Sequence, residues 1–167
     1  YDPVRATSEA TVIVDDRFPP SSKEIAGKVR SVTSQPIKYV LSTHSHGDHS
    51  GGHPEFISVA EIIAHRNNRA NMIRNRQAAP PRLVFADQAA VFLGGIEVQA
   101  IHLGRGHTDG DAVIYFPDLR TVHTGDLVVW GKRTDGTILT PFIDRSDGGS
   151  LAQWITTLDG GLEVDFD

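Results

Sequence analysis

The 167-residue sequence contains no cysteine, so it can form no disulfide bond and offers no thiolate to a metal ion. It has no apolar run near the ~20 residues of a membrane-spanning helix, and we expect no membrane partner. A net charge of −5 is unfavourable for binding nucleic-acid phosphates, so we expect no nucleic-acid partner. The length predicts one domain over residues 1–167. The composition is that of a soluble protein and leaves periplasmic, secreted and cytoplasmic locations open.

Potential metal ligands are concentrated in one short stretch. His44, His46, Asp48 and His49 fall within six residues, and imidazole and carboxylate are ligands that a Zn²⁺-like cation prefers. An apolar, β-branched run precedes them and predicts a buried strand, while small and Gly-rich residues follow. Residues two apart point the same way on an extended or tightly turned backbone, whereas a helix needs a spacing of three or four. The stretch therefore predicts a metal site at a strand end, with room for a second ion.

Two later segments offer further ligands. His107 is flanked by small residues between two predicted strands, and small residues let the backbone approach a metal ion closely. Asp126 follows a glycine where another strand ends. Taken alone, neither segment is specific.

Together these motifs resemble those of the metallo-β-lactamase superfamily of hydrolases. The His-x-His-x-Asp-His pattern followed by Gly-Gly, the Gly-His-Thr-x-Gly loop at His107 and the Thr-Gly-Asp turn at Asp126 all match the family. Glyoxalase-II-like and other hydrolase members carry Asp at the last position, where the β-lactamases usually have Cys or Ser. The chain is thus closer to general metallohydrolases than to dedicated β-lactamases.

The resemblance runs from about Thr11 to the C-terminus and implies an α/β fold, an αββα sandwich that we expect to be incomplete at both ends. The family's last ligand, a His in a Pro-Gly-His-like loop, has no counterpart, because no His follows His123. By resemblance, metal one is held by His44, His46 and His107, metal two by Asp48 and His49, and the two are bridged by Asp126.

The implied activity is hydrolysis of a small-molecule ester, thioester, lactone or amide by water activated on one or two zinc ions, with iron or manganese as other metals. Asp48 would orient the nucleophile. Three alternatives remain open: a β-lactam-hydrolysing enzyme, a persulfide dioxygenase with one iron at the three-His site, and a metal-binding fragment without activity. An unpaired sheet edge at the C-terminal side would favour a homodimer.

Periodicity and turn residues predict the remaining elements. Among the other polar residues, His53 is expected on a surface loop, His65 and His123 in structural roles, and Asp109 and Asp111 in turns. The arginine-rich 66–77 helix is expected to present a solvated face. The predicted elements are a loose lead-in over 1–10, strands 11–14, 37–42 and 60–64, helices 22–34, 66–77 and 150–158, hairpins 89–93/96–101 and 111–116/121–124, and a loop over 131–148.

Overall fold

The computed structural model describes residues 3–167 and contains two β-sheets. The first sheet has five strands in chain order, with the first pair antiparallel and the other three pairs parallel. Its strands are rich in Val and Ile, which suit a pleated, buried surface. They are β1 (Val4–Ala6), β2 (Thr11–Val14), β3 (Ile37–Ser42), β4 (Glu61–His65) and β5 (Leu83–Phe85).

The second sheet is a four-stranded antiparallel meander. Its first turn is made by Gly94 and Gly95 at φ 56° and 77°, a conformation in which glycine carries no steric cost. The predicted hairpin is therefore confirmed. The strands are β6 (Gln88–Leu93), β7 (Ile96–Ile101), β8 (Val113–Phe116) and β9 (Thr121–His123).

Five helices and two short 3₁₀ turns complete the described chain. Within residues 3–167, no helix is both long and apolar enough to cross a membrane. The helices are α1 (Pro19–Val32), α2 (Gly47–Ser50), α3 (His53–Phe56), α4 (Arg66–Arg74) and α5 (Leu151–Gly161), and the 3₁₀ turns are Pro117–Leu119 and Gly125–Leu127.

The strands alternate their side chains between two apolar layers. Val12, Val14 and Leu41 of the first sheet meet Val98 and Ile114 of the second in the central cluster. These five side chains are at most 1% exposed, and burying each one stabilises the fold by about 1.5–3 kcal/mol. The two sheets therefore pack face to face.

The outer faces of both sheets are covered by helices. Ile13 and Val40 pack with Val29 of α1 on the first sheet, and Trp154 of α5 packs with Val113 on the second. The layer order is helix, sheet, sheet, helix, so the αββα sandwich that the resemblance implied is confirmed.

Strand direction places the ligand-rich segment at one edge of the sandwich. β3 lies between β2 and β4 and runs parallel to both, with Val14 beside Leu41 and Ser42 beside Ala64. The carboxyl ends of all three strands therefore meet at the same edge, and the stretch 43–50 begins there.

Several predicted elements need correction. The lead-in over 1–10 is wrong for the described part, because Val4–Ala6 forms β1; residues 1 and 2 lie outside the described residues. Leu83–Phe85 forms a strand that the sequence did not predict. The last helix extends past its predicted end at residue 158, because Gly160 and Gly161 continue it before the cap at Leu162.

The surface predictions for α4 and His53 are also wrong. Asn68, Asn71 and Met72 of α4 are buried, so this helix packs one face, which contains two polar side chains, against the rest of the protein. His53 is fully buried, with Nε2 3.8 Å from the carboxylate of Asp16. Burial lowers the pKa of His53 to about 4, although Asp15 and a backbone bond at Ala79 oppose that shift.

His53 should therefore make the metal-free protein sensitive to mild acid. Between pH 6.5 and pH 4 the unfolded chain binds a proton at this imidazole and the folded chain does not, so the unfolding free energy falls as pH falls. The loss from this residue alone is about 3 kcal/mol. Denaturant titrations with a chelator present should show a shallower pH dependence for His53→Gln than for wild type. The same pH dependence of the unfolding free energy in His53→Gln and wild type would contradict a lowered pKa for His53.

Candidate metal centre

Three imidazoles meet at the edge of the sandwich. His44 and His46 follow β3, and His107 lies in the loop between β7 and β8. Their ring centroids are separated by 4.6–4.9 Å, and one potential ligand nitrogen of each lies within 4.8 Å of the others. The structure thus brings together the three histidines that the sequence analysis assigned to one ion.

The outer nitrogens of His46 and His107 both face protein acceptors. His46 Nε2 lies 2.9 Å from the Asp144 carboxylate, and His107 Nδ1 lies 2.7 Å from the carbonyl oxygen of Phe142. A neutral imidazole has one N–H, so donation to these acceptors leaves His46 Nδ1 and His107 Nε2 as lone pairs. Those two atoms are 2.8 Å apart, and two lone pairs at that distance repel each other unless a proton or a metal ion is bound to them.

His44 points a free nitrogen at the same place. Its Nδ1 lies 3.0 Å from the Thr43 hydroxyl, which in turn donates to Asp15 at 2.8 Å. Nε2 of His44 is buried and has no hydrogen-bond partner among the described residues. An unpaired buried nitrogen is costly unless a ligand satisfies it. These donor atoms fit a bound metal ion, although their role as ligands stays a prediction.

A second group of ligand atoms adjoins the first and shares His44 with it. His49 Nε2 lies 3.3 Å from the Asp126 carboxylate, whose other oxygen lies 3.8 Å from His107 Nε2. The outer nitrogen of His49 is again held, at 2.8 Å from Asp15. Asp126 therefore lies between the two groups, where a carboxylate can face two ions.

Asp126 reaches this position because a glycine precedes it. Gly125 has φ 53°, and a Cβ atom there would lie 2.8 Å from Thr43 Cβ. Only glycine allows the 3₁₀ turn to approach the loop that follows β3 this closely.

Asp48 occupies the open side of the cluster. Its carboxylate is 54% exposed and lies 3.8 Å from His49 Nε2. It belongs to none of the compact ligand groups among residues 3–167, so the structure places it beside the second group and not within it.

The local charges differ between the two groups. Burial, followed by the neighbouring imidazoles of His49, His107 and His46, lowers the pKa of His44 well below its usual value. Burial also opposes the charge on His49, yet hydrogen bonds to Asp126 and Asp15 raise the pKa of His49 to about 10. The hydrogen bond from His49 in turn lowers the pKa of Asp126. The second group thus carries a proton where a cation would bind.

A third group, formed by His46, Asp144 and Asp147, is a hydrogen-bond network. Both oxygens of Asp147 already accept from Asn75, and one accepts from Ser45 as well. With its oxygens occupied, this group offers no open ligand position.

The acceptors that orient the imidazoles were not predicted from the sequence. Asp15 directly follows β2, and the parallel pairing of β2 with β3 could have placed it near Thr43. Asp144 and Phe142 lie in the 131–148 loop, where no local pattern marks them. His65 accepts a hydrogen bond at the N-terminus of α4 and stacks on His102. Asp111 accepts from Thr108 within a turn.

Comparison with known proteins supplies the family. A sequence profile of the metallo-beta-lactamase superfamily matches residues 8–159, and the chain belongs to that superfamily. Hydroxyacylglutathione hydrolase from Anaeromyxobacter dehalogenans is 30% identical over 136 residues, covering 76% of this chain and 46% of that protein. Acyl-coenzyme A thioesterase MBLAC2 from Bos taurus is 29% identical over 149 residues, covering 73% and 52%. The chain spans about half the length of the curated relatives it matches.

Solved structures agree on the fold. A metallo-beta-lactamase from Pontibacter korlensis superposes with a TM-score of 0.79 at 21% identity, covering 93% of this chain and 70% of that one. At this identity the likeness establishes the metallo-β-lactamase fold alone.

Loss of one imidazole should strongly reduce the affinity of the three-His group for its ion. If about 10 kcal/mol of binding is shared by three ligands, His46→Ala removes roughly 3 kcal/mol and lowers affinity roughly 100-fold. Zinc titration against a chelator of known affinity measures this loss, with His102→Gln as a control histidine outside the cluster. Equal affinity in His46→Ala and wild type would end the three-His assignment.

Proposed function

We propose that this protein hydrolyses an acyl thioester or a related ester at a dinuclear zinc site. The observation that carries the proposal is Asp126, whose two oxygens face His49 and His107 from a position between the two ligand groups. A carboxylate there can be shared by two ions. Two superfamily relatives, a hydroxyacylglutathione hydrolase and an acyl-coenzyme A thioesterase, support an acyl carrier as substrate.

The proposed ligands divide between two ions. His44, His46 and His107 would hold the first ion, while His49 and Asp48 would hold the second with Asp126 between them. When bound, such ions polarise a carbonyl and lower the pKa of a coordinated water towards ~7. The inner nitrogens of His44, His46 and His107 are free to ligate because the other nitrogen of each ring is hydrogen-bonded elsewhere. His49 would give up its Nε2 hydrogen when the second ion binds.

Asp48 is suited to handle the proton of the attacking water. It is the most exposed carboxylate of the cluster, and its oxygen lies 3.8 Å from His49 Nε2, at the open face from which substrate would enter. A carboxylate in that place accepts a hydrogen bond from the water and orients it towards the carbonyl carbon.

One aromatic side chain borders the same face. Phe142 is 60% exposed, and its ring centroid lies 5.9 Å from that of His107 and 6.5 Å from that of His46. Its carbonyl oxygen accepts from His107, which anchors the backbone at this residue, and the exposed ring offers an apolar surface to an acyl group.

The activity is tested with zinc-loaded protein on an S-acyl glutathione, with released thiol trapped by a chromogenic disulfide and a chromogenic β-lactam assayed in parallel. We expect thioester turnover that a chelator abolishes and little β-lactam turnover. Faster cleavage of the β-lactam would overturn the substrate class. One iron per chain in place of two zinc ions would overturn the dinuclear site.

Replacement of Asp48 by Asn should slow turnover and leave the three-His site able to bind zinc. Loss of a group that accepts a proton costs ~10²–10⁴-fold in kcat. The first zinc should remain bound, because its three imidazoles are untouched. Steady-state kinetics and zinc content are measured on the same preparation. Unchanged kcat would remove Asp48 from the mechanism.

Replacement of Asp126 by Ala should reduce the affinity for the second ion more than the affinity for the first. Asp126 faces His49 directly at 3.3 Å, whereas the three-His group keeps all its nitrogens without it. Zinc titration should show two classes of site in wild type and one in the variant, with Asp135→Ala as an exposed control. Two ions of unchanged affinity in Asp126→Ala would exclude a bridging role.

A further inference from the structure

The loop over residues 142–147 contacts the metal-binding imidazoles from the side away from the cluster. It supplies the acceptors for two of the three, the Phe142 carbonyl to His107 and the Asp144 carboxylate to His46. The carbonyl is part of the backbone and is present whatever side chain stands there. Asp144 is therefore the one side chain of this loop whose chemistry decides how an imidazole of the three-His group is held.

The two carboxylate oxygens of Asp144 accept hydrogen bonds from different partners. Oδ1 accepts from the backbone N–H groups of Ser146 at 2.8 Å and Asp147 at 3.1 Å, and also from the Ser146 hydroxyl. Oδ2 faces His46 Nε2 at 2.9 Å. The first oxygen forms a turn within the loop, and the second is left for the imidazole.

The loop is anchored on both sides of this contact. The Asp144 backbone N–H donates to the carbonyl of His107, and the Gly149 N–H donates back to Asp144. Asp147, 1% exposed, accepts from Ser45, the residue between the two histidines of the motif, and from Arg74 of α4. Asp144 is thus held in register with His46 from several directions.

The position of the carboxylate fixes which nitrogen of His46 carries hydrogen. An ionised carboxylate only accepts, so His46 must place its N–H at Nε2, and the lone pair then lies on Nδ1. Nδ1 is the atom that lies 2.8 Å from His107 Nε2 inside the cluster. The opposite tautomer would put hydrogen on the atom that has to bind the ion.

We propose that Asp144 is a positioning residue that holds His46 in the tautomer with a free Nδ1 and thereby prepares the three-His group for its ion. This inference rests on the metal site of the proposed function and adds a residue about a hundred positions away from the motif. It assigns the loop a role in metal affinity in addition to bordering the open face.

The test is Asp144→Asn, which keeps one oxygen for the turn and presents an amide N–H₂ to His46. Facing a donor, Nε2 becomes the acceptor and Nδ1 carries the hydrogen. In metal-free, ¹⁵N-labelled protein, long-range ¹H–¹⁵N spectra report the tautomer directly. We expect the Nε2–H form in wild type and the Nδ1–H form in the variant. Zinc affinity should fall 10–100-fold, the usual effect of removing such an outer partner.

Ser146→Ala is the matched control, because it removes a donor to Oδ1 and leaves the contact between Oδ2 and His46 in place. It should keep the wild-type tautomer and zinc affinity even if the loop loses thermal stability. A wild-type tautomer and affinity in Asp144→Asn would overturn the inference while leaving the proposed function intact. If wild-type protein itself binds no zinc, the proposed function fails, and the tautomer comparison still decides whether Asp144 orients His46.

Discussion

The arrangement of the cluster depends on a buried carboxylate, that of Asp15. It is fully enclosed, and a charge in that position is tolerated only if its hydrogen bonds are made. Asp15 receives the backbone N–H and hydroxyl of Thr43 at one end of the ligand-rich stretch and Nδ1 of His49 at the other. One side chain therefore fixes both ends of that stretch, and the parallel pairing of β2 with β3 brings it there.

A simple chemical constraint then determines the rest of the cluster. Each neutral imidazole has one hydrogen to give, and four of them give it outwards, to Thr43, Asp15, Asp144 and the Phe142 carbonyl. Three lone pairs are consequently left facing inwards, while His49, whose pKa is raised, keeps a second hydrogen that faces Asp126. An affinity of the cluster for a cation would thus depend on groups that do not themselves contact the ion.

The features that neighbouring residues determine were predicted correctly from the sequence. The ligand motif, strands β2 and β3 and the glycine turn between β6 and β7 each follow from neighbouring residues, and all lie where expected. β5 was missed because two of its three residues are exposed and its order comes from pairing with β4. The burial of His53 was missed for a similar reason, since its surroundings come from segments far along the chain.

The loop that carries Asp144 shows the same limit within the site. Its polar and glycine-rich composition is that of an ordinary surface loop, and its contacts reach residues about a hundred positions away. Single-sequence patterns describe periodicity and turns, but they do not describe a hydrogen bond between two loops. Only the packed sheets bring the two loops together.

The cluster draws its members from both halves of the sandwich: the stretch after β3 belongs to the first sheet, while His107 and Asp126 belong to loops of the second. An ion held by all of them would act as a cross-link between the two sheets, in a chain that has no cysteine to make a covalent one. Ligand binding of this kind adds to the free energy of the native state by mass action. In such a protein, the supply of metal determines the resistance of the fold to unfolding as well as the chemistry at its edge.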